Sequence, residues 1–197
     1  MNNPIEIKVY GEPVLREKAK PVEKITDELR NLVPDFVRTM KSEDGVGLAA
    51  NQIGLAIRMI AVSDGDQDYV LFNPKITSWS MRKIIAEEGC LSLPGLYAEV
   101  ERSSKVVVKG MQEDGKEVEI VARNIFARAI QHEIDHLNGV LFIDRMKPGT
   151  LKKLVKKEGQ DEHEYNIIDI VEVRKQFTKL YHQNAKELMF DKKSNAE

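Results

Sequence analysis

The chain has 197 residues, a formal net charge of −2, four histidines and one cysteine. That length suits a single core with at most an appended segment, and a charge near zero gives no basis for whole-molecule attraction to DNA or an anionic membrane. No apolar run approaches the roughly 20 residues of a membrane helix. The opening Met1-Asn2-Asn3-Pro4 lacks the basic and apolar regions of a secretory signal, so the protein is expected to stay where it is made. The lone Cys90 fits a reducing compartment.

Gly11 to Val22 reads as a short helical turn followed by a loop. From Thr26 onward, Leu29, Leu32, Val33, Phe36, Val37 and Met40 recur at helical spacing. Thr26 serves as N-cap and Pro34 predicts a local irregularity. A small-residue loop, Gly45 to Gly54, comes next. Short β-prone runs then occupy 57–62, 69–72, 76–77, 81–86, 98–101, 105–110 and 116–121, broken by turns such as Asp64-Gly65 and Asp114-Gly115. Their spacing predicts antiparallel strands rather than β-α-β crossovers.

Helical periodicity returns at 123–137, with Ile125, Phe126, Ala129, Ile130 and Leu137 on the apolar face and Asn138-Gly139 closing the helix. After Pro148 the composition shifts to a basic run (Lys152, Lys153, Lys156, Lys157), an acidic patch at 162–164 and a helical pattern over 168–189. The resulting expectation is an α+β fold, in which antiparallel sheets pack around a central helix, with an N-terminal helix and a C-terminal helix. A catalytic domain would span 1–147, and 148–197 would be a basic linker and terminal helix, either part of the same domain or an appended tail.

The chemistry is concentrated in Gln131-His132-Glu133-Ile134-Asp135-His136. Histidines four apart on a helix project from one face and can grip one metal ion, with the intervening Glu133 directed at the water that ion acidifies. A short motif of this kind also arises by chance, and two ligands need a third. Cys90 sits where the strand-like run 81–86 gives way to Leu91-Ser92-Leu93-Pro94-Gly95, a place from which a thiol can face a cleft. A lone cysteine is otherwise most often a buried small hydrophobe.

Three ordered motifs, Gly45-Val46-Gly47-Leu48-Ala49-Ala50-Asn51-Gln52, Glu88-Gly89-Cys90-Leu91-Ser92 and Gln131 to His136, resemble the signature motifs of the peptide deformylases. The stretches Gly11 to Arg16 and Gly139 to Met146 resemble the sequences flanking them in that family. The resemblance spans residues 5–147 and implies a hydrolase of bacterial cytoplasmic type that removes the N-formyl group from formylmethionine at the start of nascent polypeptides, releasing formate. It implies one divalent metal ion per chain held by Cys90, His132 and His136, with iron(II) first and zinc, nickel or cobalt as substitutes.

In that scheme metal-bound water attacks the formyl carbon, Glu133 is general base and acid, and the Gln52 amide and Leu91 N–H stabilise the oxyanion. Gly45, Val46, Gly47, Glu88, Gly89, Tyr97, Ile125, Arg128 and Ala129 are the expected substrate-binding residues, and Glu88 with Arg102 resembles a pair bracing the cysteine loop. Arg128 and Tyr97 replace an aliphatic and a basic residue of some relatives. Two other readings compete. An endopeptidase would carry a histidine or acidic third ligand, and a silent metal-binding or ribosome-associated module would be expected to lack Glu133 or Gln52. The basic segment after Pro148 is the expected ribosome contact.

Overall fold

The computed structural model describes residues 4–156, 163–175 and 177. Helix α1 spans Asp27–Ser42, and the Thr26 side chain accepts a hydrogen bond from the Leu29 N–H at its start. Pro34 does not interrupt it, because Val33, Phe36 and Met40 are buried on one side and that burial outweighs one missing backbone hydrogen bond. The loop after α1 holds a short strand, β1 (Gly47–Ala49), and a 3-10 turn (Ala50–Ile53).

Strands β2 (Met59–Ser63), β3 (Asp68–Trp79), β6 (Lys105–Met111) and β7 (Glu117–Arg123) join β1 in an antiparallel sheet of order β1-β2-β3-β6-β7. The two runs expected at 69–72 and 76–77 are one strand. The apparent break at Asn73-Pro74 is a register shift against β6 between Phe72 and Lys75, and the Asn73 side chain is bonded to both the N–H and the C=O of Val22. Strands β4 (Lys83–Gly89) and β5 (Leu96–Ser103) begin the second antiparallel sheet, of order β4-β5-β8-β9.

The later members of that sheet correct the expectation of a basic linker. Lys152–Lys156 forms strand β8 and His163–Ile167 forms β9; β8 pairs with Leu96 and Tyr97 of β5. Edge backbone of β5 accepts the strand, and Lys152 reaches across it to an ion pair with Glu87 on β4 while its ammonium lies over the Tyr165 ring. Helical geometry resumes at residue 170, with Val173 and Phe177 buried against the second sheet. Lys157 and the rest of the helix expected to reach residue 189 lie outside the described residues.

Helix α2, Asn124–Leu137, runs between the sheets, and every residue from Ala129 to Leu137 is buried. Ala127, Ala129, Ile130, Ile134 and Leu137 pack on Ile60, Val62, Leu71 and Val108 of the five-stranded sheet. The opposite face is polar: Gln131 brackets the backbone of Ser103 on β5, accepting from its N–H and donating to its C=O. A second apolar cluster packs α1 on β2 and β3 around the fully buried Phe36. Phe36→Ala is expected to lower stability by about 3–5 kcal/mol, read as a fall in the urea midpoint at constant slope.

Candidate metal centre and its cleft

His132 and His136 stand one turn apart on α2, their ring centroids 4.9 Å apart and their Nε2 atoms 3.2 Å apart. Cys90, just past the end of β4, brings Sγ to 3.2 Å from His136 Nε2, and the donor atoms of the three residues all lie within 4.8 Å of one another. A tetrahedral ion with bonds of about 2.0–2.3 Å separates its ligand atoms by about 3.3–3.6 Å. The two sides that meet at His136 Nε2, each 3.2 Å, are close to that separation, and a thiolate with two imidazoles suits a soft or borderline divalent metal rather than magnesium or calcium.

The ring of His132 is aimed by Glu88, whose Oε2 lies 3.0 Å from His132 Nδ1. A proton on Nδ1 shared with that carboxylate leaves Nε2 as the lone-pair atom facing Cys90 and His136. Arg102 holds Glu88 with two hydrogen bonds of 2.9 Å, from Nε to Oε1 and from Nη2 to Oε2, and also bonds Asp135. Burial works against ionisation of Glu88, but the hydrogen bonds from Arg102 and His132 outweigh it and hold the carboxyl well below its ordinary range. Asp135 in turn takes two hydrogen bonds from Arg145, so Asp135 and Gln131 tie α2 to β5 and the following loop rather than touching the histidine rings.

Gln52 is fixed by its own motif. Its Oε1 accepts from the Ala49 N–H at 2.8 Å, which turns Nε2 toward Cys90 Sγ at 3.6 Å and Ser92 Oγ at 3.2 Å. Asn51, which the sequence reading passed over, donates from Nδ2 to the His136 carbonyl at 2.5 Å and ties the glycine motif to α2. Its position beside Gln52 was the available signal.

Glu133 is 4 % exposed, and its Oε2 has no hydrogen-bond partner among the described residues. Burial pushes its carboxyl up to about 7, an effect that the neighbouring His132 only partly offsets. Gly47 faces it so closely that a Cβ there would collide with the carboxyl group.

These groups open on a cleft of about 780 Å³. Gly45, Val46 and Gly47 line it together with Glu88, Gly89, Leu91 and Tyr97. Arg128 and Ala129 of α2, both little exposed, line the floor with His132 and Glu133, and Ile125 lines the cleft farther out. All the expected substrate-side residues thus meet in one place, while His136, 1 % exposed, lies behind them. Val46 and Ile125 stand exposed at the mouth. A Cβ on Gly89 would come within 2.8 Å of Tyr97 Cε1, so the tyrosine ring lies flush on the strand that leads to Cys90. The polar atoms of Glu88 and Arg128 point away from the cleft into each other and the sheet.

The sequence profile of the family described as Polypeptide deformylase matches residues 4–152. A peptide deformylase from Halothermothrix orenii is 51% identical over 144 residues, 72% of this chain and 93% of that protein. Another, from Fusobacterium nucleatum, is 46% identical over 155 residues, 77% of this chain and 89% of its own length. The crystal structure of peptide deformylase from Thermotoga maritima matches with a TM-score of 0.73 at 42% identity, over 75% of this chain and 100% of that one. A peptide deformylase from Synechococcus elongatus in complex with actinonin matches with a TM-score of 0.71 at 44% identity, over 74% of this chain and 80% of its own.

Titration of metal-stripped protein with cobalt(II) or zinc is expected to reach one ion per chain. Cys90→Ala should weaken binding by about a hundredfold or more, since one of three ligands is lost. At ligand concentrations about a thousand times Kd, the ion should stabilise the fold by about 4 kcal/mol, read as a rise in Tm that chelator reverses.

Proposed function

The chain belongs to the polypeptide deformylase family, metal-dependent hydrolases that remove the N-formyl group from methionine-initiated peptides, and on that premise we propose the roles its residues play in this reaction. Cys90, His132 and His136 hold the ion, Glu133 moves the proton, and Gln52 Nε2 with the Leu91 backbone N–H donates to the carbonyl oxygen as it gains charge. The observation that carries the reading is the convergence of three donor atoms beside a buried Glu133 Oε2, unpartnered among the described residues, at the inner end of a cleft. A divalent ion bound there supplies Lewis acidity, which polarises the formyl carbonyl and acidifies water. Iron(II) is the metal we propose, with zinc, nickel and cobalt able to occupy the same thiolate-imidazole set.

Glu133 Oε2 takes a proton from the attacking water and later delivers it to the amide nitrogen as the C–N bond breaks, leaving formate and a free methionine amine. A carboxyl whose ordinary value is pushed up to about 7 is suited to both directions of that transfer near neutral pH. Gln52 is held for donation by the Ala49 N–H, so its amide need not reorganise as charge develops. Gly45 and Gly47 let backbone approach the reacting centre; a Cβ on Gly45 would stand 3.0 Å from the Met40 carbonyl and 3.1 Å from Leu91 Cδ1. Val46, Leu91, Ile125 and Ala129 offer apolar contacts to an unbranched thioether side chain.

The substrate we propose is the formylated end of a chain still being made. Contact with the ribosome through the basic strand β8 belongs to the same proposal. Full-length protein should co-sediment with ribosomes less as salt rises, because contacts to phosphate release counterions; pelleting that does not change with salt would remove that part.

Anaerobically purified, iron-loaded protein is expected to release formate from formyl-Met-Ala-Ser and to leave the acetylated peptide intact. Glu133→Ala should lower kcat by at least about a hundredfold with metal still bound. Gly47→Ala, which displaces the same carboxyl, should lower kcat while one ion per chain is retained. Turnover by Glu133→Ala equal to the parent would overturn the assignment of the base.

A further inference from the structure

A cation in the floor of a cleft meant for an apolar side chain is out of place, and Arg128 resolves this by turning its charge elsewhere. It lies one turn before His132 on the same face of α2. Its Nη1 donates to Glu88 Oε1 at 2.6 Å and to the Val100 carbonyl at 2.9 Å, with Ala86 O at 3.4 Å. Its Nη2 donates to the Ile84 carbonyl at 2.7 Å. The side chain is 13 % exposed, so its stem faces the cleft and its fork faces the sheet. Glu88, which it holds, carries His132 Nδ1 on its other oxygen.

Two strands of argument meet at this residue. Strand β4 is an edge of its sheet, paired along its length only with β5, and it ends one residue before Cys90. Helix α2 carries both histidines. Arg128 is anchored on α2 and bonded to the Ile84 and Ala86 carbonyls and the Glu88 carboxylate of β4. It therefore spans the gap across which one ligand must be set against the other two. Arg102, whose backbone pairs with β4 in the sheet, grips Glu88 and Asp135 with its side chain, but that side chain bonds none of the β4 carbonyls among the described residues.

We propose that Arg128 is a positioning residue of the metal centre: through Glu88 it fixes the His132 ring, and through the β4 carbonyls it fixes the strand that delivers Cys90. This rests on the metal-centre reading above and adds a residue that touches neither ion nor substrate with its charge. An apolar residue at this position would fill the cleft floor equally well but would leave Glu88 with Arg102 as its only arginine.

The test uses Arg128→Met and Arg128→Lys in the full chain. Methionine keeps the length of the stem, whereas alanine would open the cleft into a neighbouring cavity of about 110 Å³ that Arg128, Ala86 and Ile125 also line. Each protein is loaded with cobalt(II). The absorption bands of the ion and its thiolate charge transfer are recorded, Kd is measured by chelator competition, and kcat and KM are determined separately on formyl-Met-Ala-Ser. For Arg128→Met the expected result is a Kd weakened about tenfold or more, altered cobalt bands, a lowered kcat and a KM within about twofold of the parent. Arg128→Lys keeps a cation beside Glu88 but loses the fork, and should recover part of the affinity.

Unchanged Kd and bands in Arg128→Met would overturn the proposal, whatever happens to turnover, and a raised KM alone would assign Arg128 to the substrate wall. If the methionine variant does not fold, a parental Kd and spectrum in Arg128→Lys overturns it equally. The metal measurements need no turnover, so a parent that binds cobalt but releases no formate would sink the functional reading and leave this one decided on its own data.

Discussion

One buried carboxylate organises the active end of this molecule. Glu88 receives two hydrogen bonds from Arg102, one from Arg128 and the ring of His132, almost entirely out of contact with solvent. Taking such a group from water costs several kcal/mol, and a single partner would not offset it. Two guanidinium groups do, each from a different element: Arg102 from β5 and Arg128 from α2. The cost is met only when both sheet and helix are in place, which makes the geometry of the histidines conditional on the whole fold rather than on helix α2 alone.

That condition explains why α2 is polar on a face that is fully buried. Gln131 completes the hydrogen bonds of Ser103, and Asp135 joins Arg102 to Arg145. The five-stranded sheet holds the helix by apolar packing, which is tolerant of small sliding. The second sheet holds it by directional bonds, which are not. A metal centre needs ligand atoms within a few tenths of an ångström, so the directional side of the helix faces the sheet that leads to Cys90 and the apolar side faces away from it.

Much of this could be read from the sequence, and the part that could not has a physical reason. Thr26, the spacing of Val33, Phe36 and Met40, and the His132 to His136 interval are local signals, and both helices follow from them. The three candidate metal ligands could be brought together only by the resemblance of separated motifs, since 41 residues lie between Cys90 and His132 in the chain. Pro34 and the Asn73-Pro74 step misled in the same direction. Each marks a local preference that burial or a bulge overrides. Motif resemblance puts Glu88 beside the cleft with Arg102 as its partner, and the helical turn before His132 puts Arg128 there; that the charged end of Arg128 turns inward depends on Ile84, Glu88 and Val100, far away in sequence, which no window of residues reveals.

The basic segment shows the limit most clearly. Lysines at 152, 153 and 156 read as a basic linker, because charge pattern carries no record of the strand edge waiting to pair. In the fold, Lys152 neutralises Glu87 and lies over Tyr165, while the Tyr165 ring meets Tyr97 edge-on at 5.6 Å. Tyr97 in turn lies against Gly89, the residue before Cys90. The paired strands β8 and β9 therefore support the cleft beside Gly89 through two aromatic rings, and β9 comes from beyond residue 152, where the match to the family profile ends. The part of the chain that matches the family profile carries the candidate ligands, and sequence beyond it packs against the cleft beside them.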